Sequence, residues 1–147
     1  LVCSWYNVIK SINGKKIMKI KRICIDLDGV ISQLKKENET YADVEPIAGA
    51  VEKLTSLKTS GHYIIILTAR HMKTCNGNIG LVQRRIANIT MDWLKKYKIP
   101  YDEIHFGKPW ADIYIDDNAY RFVEWEKIDG NGDNLPQSHE SQVRGDE

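Results

Sequence analysis

The run Tyr63-Ile64-Ile65-Ile66-Leu67 constrains the fold more than any other stretch of this chain. It is too short for a helix, rich in β-branched residues, and apolar at odd and even positions alike. A strand with two apolar faces reads as a central strand of a parallel sheet, covered on both sides. Around it, strand and helix patterns alternate. Arg22-Ile23-Cys24-Ile25-Asp26 reads as a buried strand, with Cys24 as a small core side chain. Residues 47–60 read as a helix that turns Val51, Leu54 and Leu57 to one face and stops at Gly61. Residues 80–97 read as a second helix with Val82, Ile86, Ile89 and Trp93 on one stripe, ended by Pro100. Short strands are predicted at 103–106 and 112–115, and a short helix at 120–126. The alternation predicts an α/β fold of three layers, a doubly wound parallel sheet with helices on both faces. Ligands of such sheets bind at the carboxyl ends of the strands, near the point where strand order reverses.

Composition narrows the classes. The 147 residues suit one domain, and a formal charge of +1 provides no basic footprint, so nucleic acid is not expected as a partner. No apolar run approaches the roughly 20 residues that cross a bilayer, so no membrane partner is expected. The three cysteines, Cys3, Cys24 and Cys75, are odd in number and far apart, which fits neither a disulfide framework nor a zinc site. A cytoplasmic location is the simplest expectation. Residues 1–17 are expected to be an N-terminal extension and 18–128 the working domain. Residues 129–147, rich in Gly, Asn, Asp, Ser and Gln with almost no apolar residues, are expected to form a disordered tail. Within that tail Asp129-Gly130-Asn131-Gly132-Asp133 imitates a calcium loop. Asn134 stands where the loop needs glycine, however, and Pro136 follows, so a solvated tail is expected.

Each predicted strand runs into residues suited to phosphate or metal chemistry. The first leads to Asp26-Leu27-Asp28-Gly29-Val30, the second to Thr68-Ala69-Arg70. The third leads to Gly107-Lys108-Pro109 and the fourth to Asp116-Asp117-Asn118. Taken singly, each has a plain structural explanation: a turn-forming acid, a helix cap, a solvated lysine. Four such signals, in order and each at a strand's carboxyl end, point to one site.

Together these residues resemble the haloacid dehalogenase (HAD) superfamily, whose four motifs correspond to Asp26-Leu27-Asp28-Gly29-Val30, Thr68, Lys108 and Asp116-Asp117. The resemblance covers nearly all of 18–128 and implies a phosphatase that works through an aspartyl-phosphate. It implies Mg²⁺ held by Asp26, the Asp28 backbone carbonyl, and Asp116 and Asp117, of which either could be the direct ligand. Asp26 would be the nucleophile and Asp28 the acid and base for the leaving alcohol and the attacking water. Thr68 would donate to the phosphoryl oxygens, and Lys108 would neutralise charge on Asp26 and the transferring group. Similar proteins that cleave carbon–halogen bonds lack an acid where Asp28 stands, which argues against dehalogenation.

Many members of that superfamily insert a cap domain. Here the first gap, 31–45, holds fifteen residues and the second, 71–80, is shorter still, so the chain looks capless. An open site leaves room for a bulky substrate or for a wall from a second copy, and a homo-oligomer is one expectation. The loop after Thr68 supplies candidate substrate contacts: Ala69, Arg70, His71 and Asn76, with Lys73 and Asn78. Arg70 either forks onto a second anion or braces the carboxylates. Trp110 either stacks on substrate or packs in the core, and His62 and His105 read as packing residues. The whole pattern looks like the small capless phosphatases of surface-polysaccharide synthesis, which implies a small phosphorylated sugar as substrate. The alternatives are a phosphatase of nucleotides or nucleic-acid ends and, in another class, a phospho-accepting receiver domain. Receivers carry their acidic pair after the first strand and their phosphorylated Asp later, the reverse of the order here.

Overall fold

The computed structural model describes residues 19–136. Three parallel strands, β1 (Arg22–Asp26), β2 (Tyr63–Thr68) and β3 (Glu103–Phe106), form one sheet in the order β1-β2-β3. Helix α1 (Ala50–Thr59) connects the first two and α2 (Ile79–Lys96) the last two. β2 is the central strand, as its double apolar face requires, with Ile25 opposite Ile66 and Ile66 opposite Ile104.

The three layers expected of a doubly wound sheet are not found among the described residues. Ile25, Ile64 and Ile66 share one buried cluster with Leu54 and Leu57 of α1 and with Trp93 and Leu94 of α2. Both helices therefore lie on the same face. The reason is topological. Right-handed crossovers that step always in one direction, β1 to β2 to β3, put every helix on one side, and the strand order never reverses. The opposite face carries Arg22, Cys24, Tyr63, Ile65, Leu67, Glu103 and His105, none of them buried. Cys24 is exposed there and is not a core residue. Polar contacts run across this face instead. The Arg22 guanidinium lies 4.3 Å from the Tyr63 ring centroid, the Tyr63 hydroxyl donates to Glu103 Oε2 at 2.7 Å, and Glu103 Oε1 meets His105 Nε2 at 2.8 Å.

The helices differ from expectation in detail. α1 starts later than residue 47, because Gly49, with φ 81, ends the incoming turn in a left-handed conformation. α2 starts where Asn78 caps it by accepting from Leu81 N–H. Its buried stripe is Val82, Ile86, Thr90, Trp93 and Leu94, and Ile89 falls outside it, exposed. The Trp93 indole donates to the Val44 carbonyl at 2.7 Å, so α2 also anchors the loop before α1.

Residues 112–115 form no strand, and 120–126 shrink to a 3₁₀ turn at Trp125–Lys127. The Tyr114 hydroxyl donates back to the Pro109 carbonyl, and its ring centroid lies 4.5 Å from Lys108 Nζ. Ile113 and Ile115 are left exposed. Trp125 is buried, packs on Phe122, and donates its indole N–H to the Val30 carbonyl at 2.7 Å. The packed region runs past residue 128: Leu135 touches the core, and the Asn131 and Gly132 carbonyls accept from His62 and Lys21. The expectations for residues 1–17 and 137–147 lie outside the described residues. The connections 27–49 and 69–78 contain only turns and the bridges Asp28–Ser32 and Ser32–Pro46, with no cap domain in either. No helix among the described residues is long and apolar enough to cross a membrane.

His62 is 1% exposed and has both ring nitrogens engaged. Nδ1 accepts from Lys21 N–H at 3.1 Å, and Nε2 donates to the Asn131 carbonyl at 2.7 Å, which requires the neutral ring protonated on Nε2. Replacing it orphans one donor and one acceptor. His62→Ala is expected to lower unfolding free energy by about 2 to 3 kcal/mol, read from urea denaturation.

Candidate active site

The sheet's carboxyl end gathers the first three of the predicted segments. β1 ends at Asp26, and the turn that follows is closed by Gly29 N–H on the Ser32 carbonyl at 2.8 Å. Gly29 adopts φ 86, a conformation that a side chain would strain, and so the chain doubles back to present Asp28. Asp26 Oδ1 accepts from Leu27 N–H at 2.9 Å, and its Oδ2 lies 2.7 Å from Lys108 Nζ.

Asp28 is held by the second segment. Arg70 donates from Nη2 to Oδ1 at 2.8 Å and from Nε to Oδ2 at 2.9 Å, and the Ser32 hydroxyl donates to Oδ1 at 3.0 Å. The Arg70 side chain is fully buried, also donates to the Thr90 hydroxyl at 3.2 Å, and lies 4.3 Å from the Tyr41 ring centroid. Of the two roles open to Arg70, the structure has it bracing a carboxylate. Thr68, 1% exposed, accepts from Arg70 N–H at 3.1 Å through its hydroxyl oxygen, which leaves the hydroxyl proton to donate.

Lys108 is brought in by backbone bonds. Gly107 N–H and Lys108 N–H both donate to the Thr68 carbonyl at 3.1 Å. Gly107 has φ 118, and a Cβ there would lie 2.6 Å from Ile79 Cδ1, so the exit from β3 passes tightly against the start of α2. Asp26, Asp28, Thr68, Arg70 and Lys108 thus form one bonded group.

The remaining candidates lie on the segments that follow β2 and β3. Asp116 and Asp117 are exposed. Asp116 lines the same groove as Asp26 and Lys108, about 1120 Å³ in volume, and its Oδ1 accepts from Asn118 N–H at 2.6 Å. Asp26, the Asp28 carbonyl and Asp116 are hard oxygen donors of the kind that Mg²⁺ takes. Among the described residues, however, no three His, Cys, Asp or Glu side chains converge to hold a metal ion. Ala69 packs on a small cluster with Met72, Cys75, Val82 and Ile86. Asn76 is exposed at a left-handed turn position, φ 48. Trp110 is 57% exposed and is no core residue; its ring centroid lies 4.4 Å from Lys73 Nζ.

Sequence reasoning missed Tyr41. It covers Arg70, and its ring meets His71 edge-on at 5.8 Å between centroids. Burial pushes its hydroxyl pKa up, Asp28 adds to this, and Arg70 opposes it. The available signal was that Tyr41 is the one aromatic residue in the polar gap 31–45.

A solved structure of a Vibrio cholerae protein, determined as an MCSG target, is 37% identical to this chain over 73% of it and 85% of the other, with a TM-score of 0.64. Two further solved structures match less well. One, of a Pnkp1/Rnl/Hen1 complex, is 22% identical over 76% of this chain and 36% of the other, with a TM-score of 0.46. The other, of a Pnkp1/Rnl/Hen1 RNA repair complex, is 24% identical over 67% and 29%, with a TM-score of 0.45. No protein-family model matches the chain, and no curated protein matches it.

His71 sits at φ 60 with Nδ1 buried and unbonded. Burial lowers its pKa, and Arg85 and Arg70 push in the same direction. A histidine with a folded pKa below its unfolded value binds its proton more readily when unfolded. Stability is therefore lost as pH falls through the ordinary histidine range, from about 7.5 to about 5.5. The thermal midpoint is expected to drop across that window, and His71→Gln to remove part of the drop. For Arg70→Met, which leaves Asp28 without its buried partner, a loss of about 2 to 4 kcal/mol is expected in denaturant titrations.

Proposed function

The chain belongs to the same family as that Vibrio cholerae protein, and from this premise we propose that it is a HAD-type phosphatase acting on a small phosphorylated substrate. The observation that carries the reading is the pair of carboxylates at the end of β1, each held by a different cation. One is left partly exposed beside a lysine; the other is fixed by a buried arginine.

Asp26 is the nucleophile. Its Oδ1 is held by Leu27 N–H, which fixes the carboxylate plane and leaves Oδ2 beside Lys108 to face phosphorus. Lys108 offsets the repulsion between this carboxylate and an anionic ester, and follows the charge as it moves onto the phosphoryl oxygens. The P–O bond to the alcohol breaks as the Asp26 oxygen–phosphorus bond forms, which gives an aspartyl-phosphate. Asp28 delivers a proton to the departing alkoxide and later takes one from the water that hydrolyses the acyl phosphate. The fork from Arg70 and the Ser32 hydroxyl crowds Oδ1 and leaves Oδ2 the less occupied oxygen for that proton. Thr68 is set to donate its hydroxyl proton to a phosphoryl oxygen.

Mg²⁺ belongs to this proposal. Asp26 and the Asp28 carbonyl would hold it together with Asp116 and Asp117. Bound there, it would supply positive charge at the phosphoryl group. The further identification as a capless phosphatase of surface-polysaccharide synthesis, with a phosphorylated sugar as substrate, also belongs to the proposal. It is supported by the open groove and the short connections 27–49 and 69–78.

Phosphate release from a panel of sugar phosphates and nucleotides tests the reading. Asp26→Asn is expected to lower the rate by about a thousandfold or more on every substrate. Chelation is expected to stop release and added Mg²⁺ to restore it. Parent-level turnover by Asp26→Asn would remove the nucleophile, and turnover unaffected by chelation would remove the ion.

A further inference from the structure

We infer that Lys73 and Trp110 form a second anion subsite at the rim of the phosphate position, which takes a negatively charged group on the alcohol side of the ester; this rests on the phosphatase reading above.

The argument starts from charge. At the floor of the site Lys108 balances Asp26 and Arg70 balances Asp28, each within 2.8 Å, so the two carboxylates and two cations cancel. Lys73 is different. It is exposed, and among the described residues its ammonium pairs with no carboxylate; the Trp110 ring, 4.4 Å away, is its partner. Contact with an aromatic face orients an ammonium and leaves its three N–H donors open to an acceptor. Such a group is ready to bind an anion.

Placement follows from connectivity. Lys73 is on the loop that leaves Thr68, three residues beyond Arg70, and that loop is held in turns by bonds such as Cys75 N–H on the His71 carbonyl. Trp110 is two residues beyond Lys108, on the segment tied to the Thr68 carbonyl. The two loops that carry the floor's cations thus meet again at Lys73 and Trp110, one step outward. Trp110 is 57% exposed, a large apolar surface left in water two residues from Lys108. It offers a flat face to the ring of a sugar or similar leaving group, while Lys73 takes the charge. The ligand class is therefore a phosphate monoester with a second phosphate or a carboxylate on its alcohol portion.

Three matched substrates test this: a hexose monophosphate, the corresponding bisphosphate, and the corresponding phosphorylated sugar acid. The parent is expected to favour the two doubly charged esters in kcat/KM, and Lys73→Met to reduce that preference roughly fivefold to tenfold through KM. Lys73→Arg is expected to retain it, and Trp110→Leu to weaken it. A gain for the bisphosphate alone identifies phosphate as the second anion, and a gain for the sugar acid alone identifies carboxylate. A parent without preference, or a preference that Lys73→Met leaves intact, overturns the subsite. A calorimetric arm separates this from the wider reading, with the same ligands titrated into Asp26→Asn in the presence or absence of Lys73→Met. Absent turnover with a Lys73-dependent preference in binding would sink the phosphatase and keep the subsite. Turnover with no Lys73-dependent preference in either arm would do the reverse.

Discussion

A buried guanidinium needs acceptors for its N–H groups, and much of the architecture around the strand ends follows from that requirement. Arg70 leaves the end of β2 with its side chain wholly out of water. The low-dielectric surroundings that would penalise it alone reward a forked carboxylate instead. Asp28 can supply that carboxylate only because Gly29 turns the chain back after β1. Thr90 reaches in from the middle of α2, and Tyr41 closes the remaining side from the loop before α1. One ion pair therefore ties two strands, a helix and a loop to a common point. Asp26, the carboxylate proposed as nucleophile, is two residues from that point.

The second pair has the opposite character. Lys108 and Asp26 are partly exposed, with side chains 15% and 34% accessible, so solvent weakens their attraction and either can release the other. In the proposed phosphatase this difference suits Asp26 to attack, since a carboxylate held by a partly exposed lysine can exchange that contact for a phosphoryl group more readily than one locked by a buried fork. The division of labour proposed for the two similar acids thus rests on what surrounds each.

Much of this was legible in the sequence. The apolar run 63–67 correctly identified the central strand, and the segments at 26–28, 68–70 and 108 do meet at one end of the sheet. Local pattern sufficed there because each signal directly follows an element with strong periodicity. The layering was not legible: an alternation of strands and helices does not reveal whether strand order reverses, and three strands stepping one way leave a face open. Residues 112–115 failed as a strand because their fate is set by tertiary contacts, Tyr114 folding back on Pro109 and Lys108, and not by their apolar content. Ile89 was misassigned because a stripe at 82, 86 and 93 continues through Thr90, a polar residue whose hydroxyl serves Arg70. Tyr41 escaped for the same reason: its role depends on a partner nearly thirty positions away.

The glycine at 107 has a consequence beyond its own turn. Its backbone angle disfavours any side chain, and the space a side chain would need is already filled by Ile79 at the first position of α2. Trimming Ile79 would clear the steric obstacle and leave the torsional one in place. Two unrelated penalties therefore guard a single position, and drift in the helix cannot relax both. The approach of a lysine to a carboxylate is fixed, in this chain, by a residue that has no side chain at all.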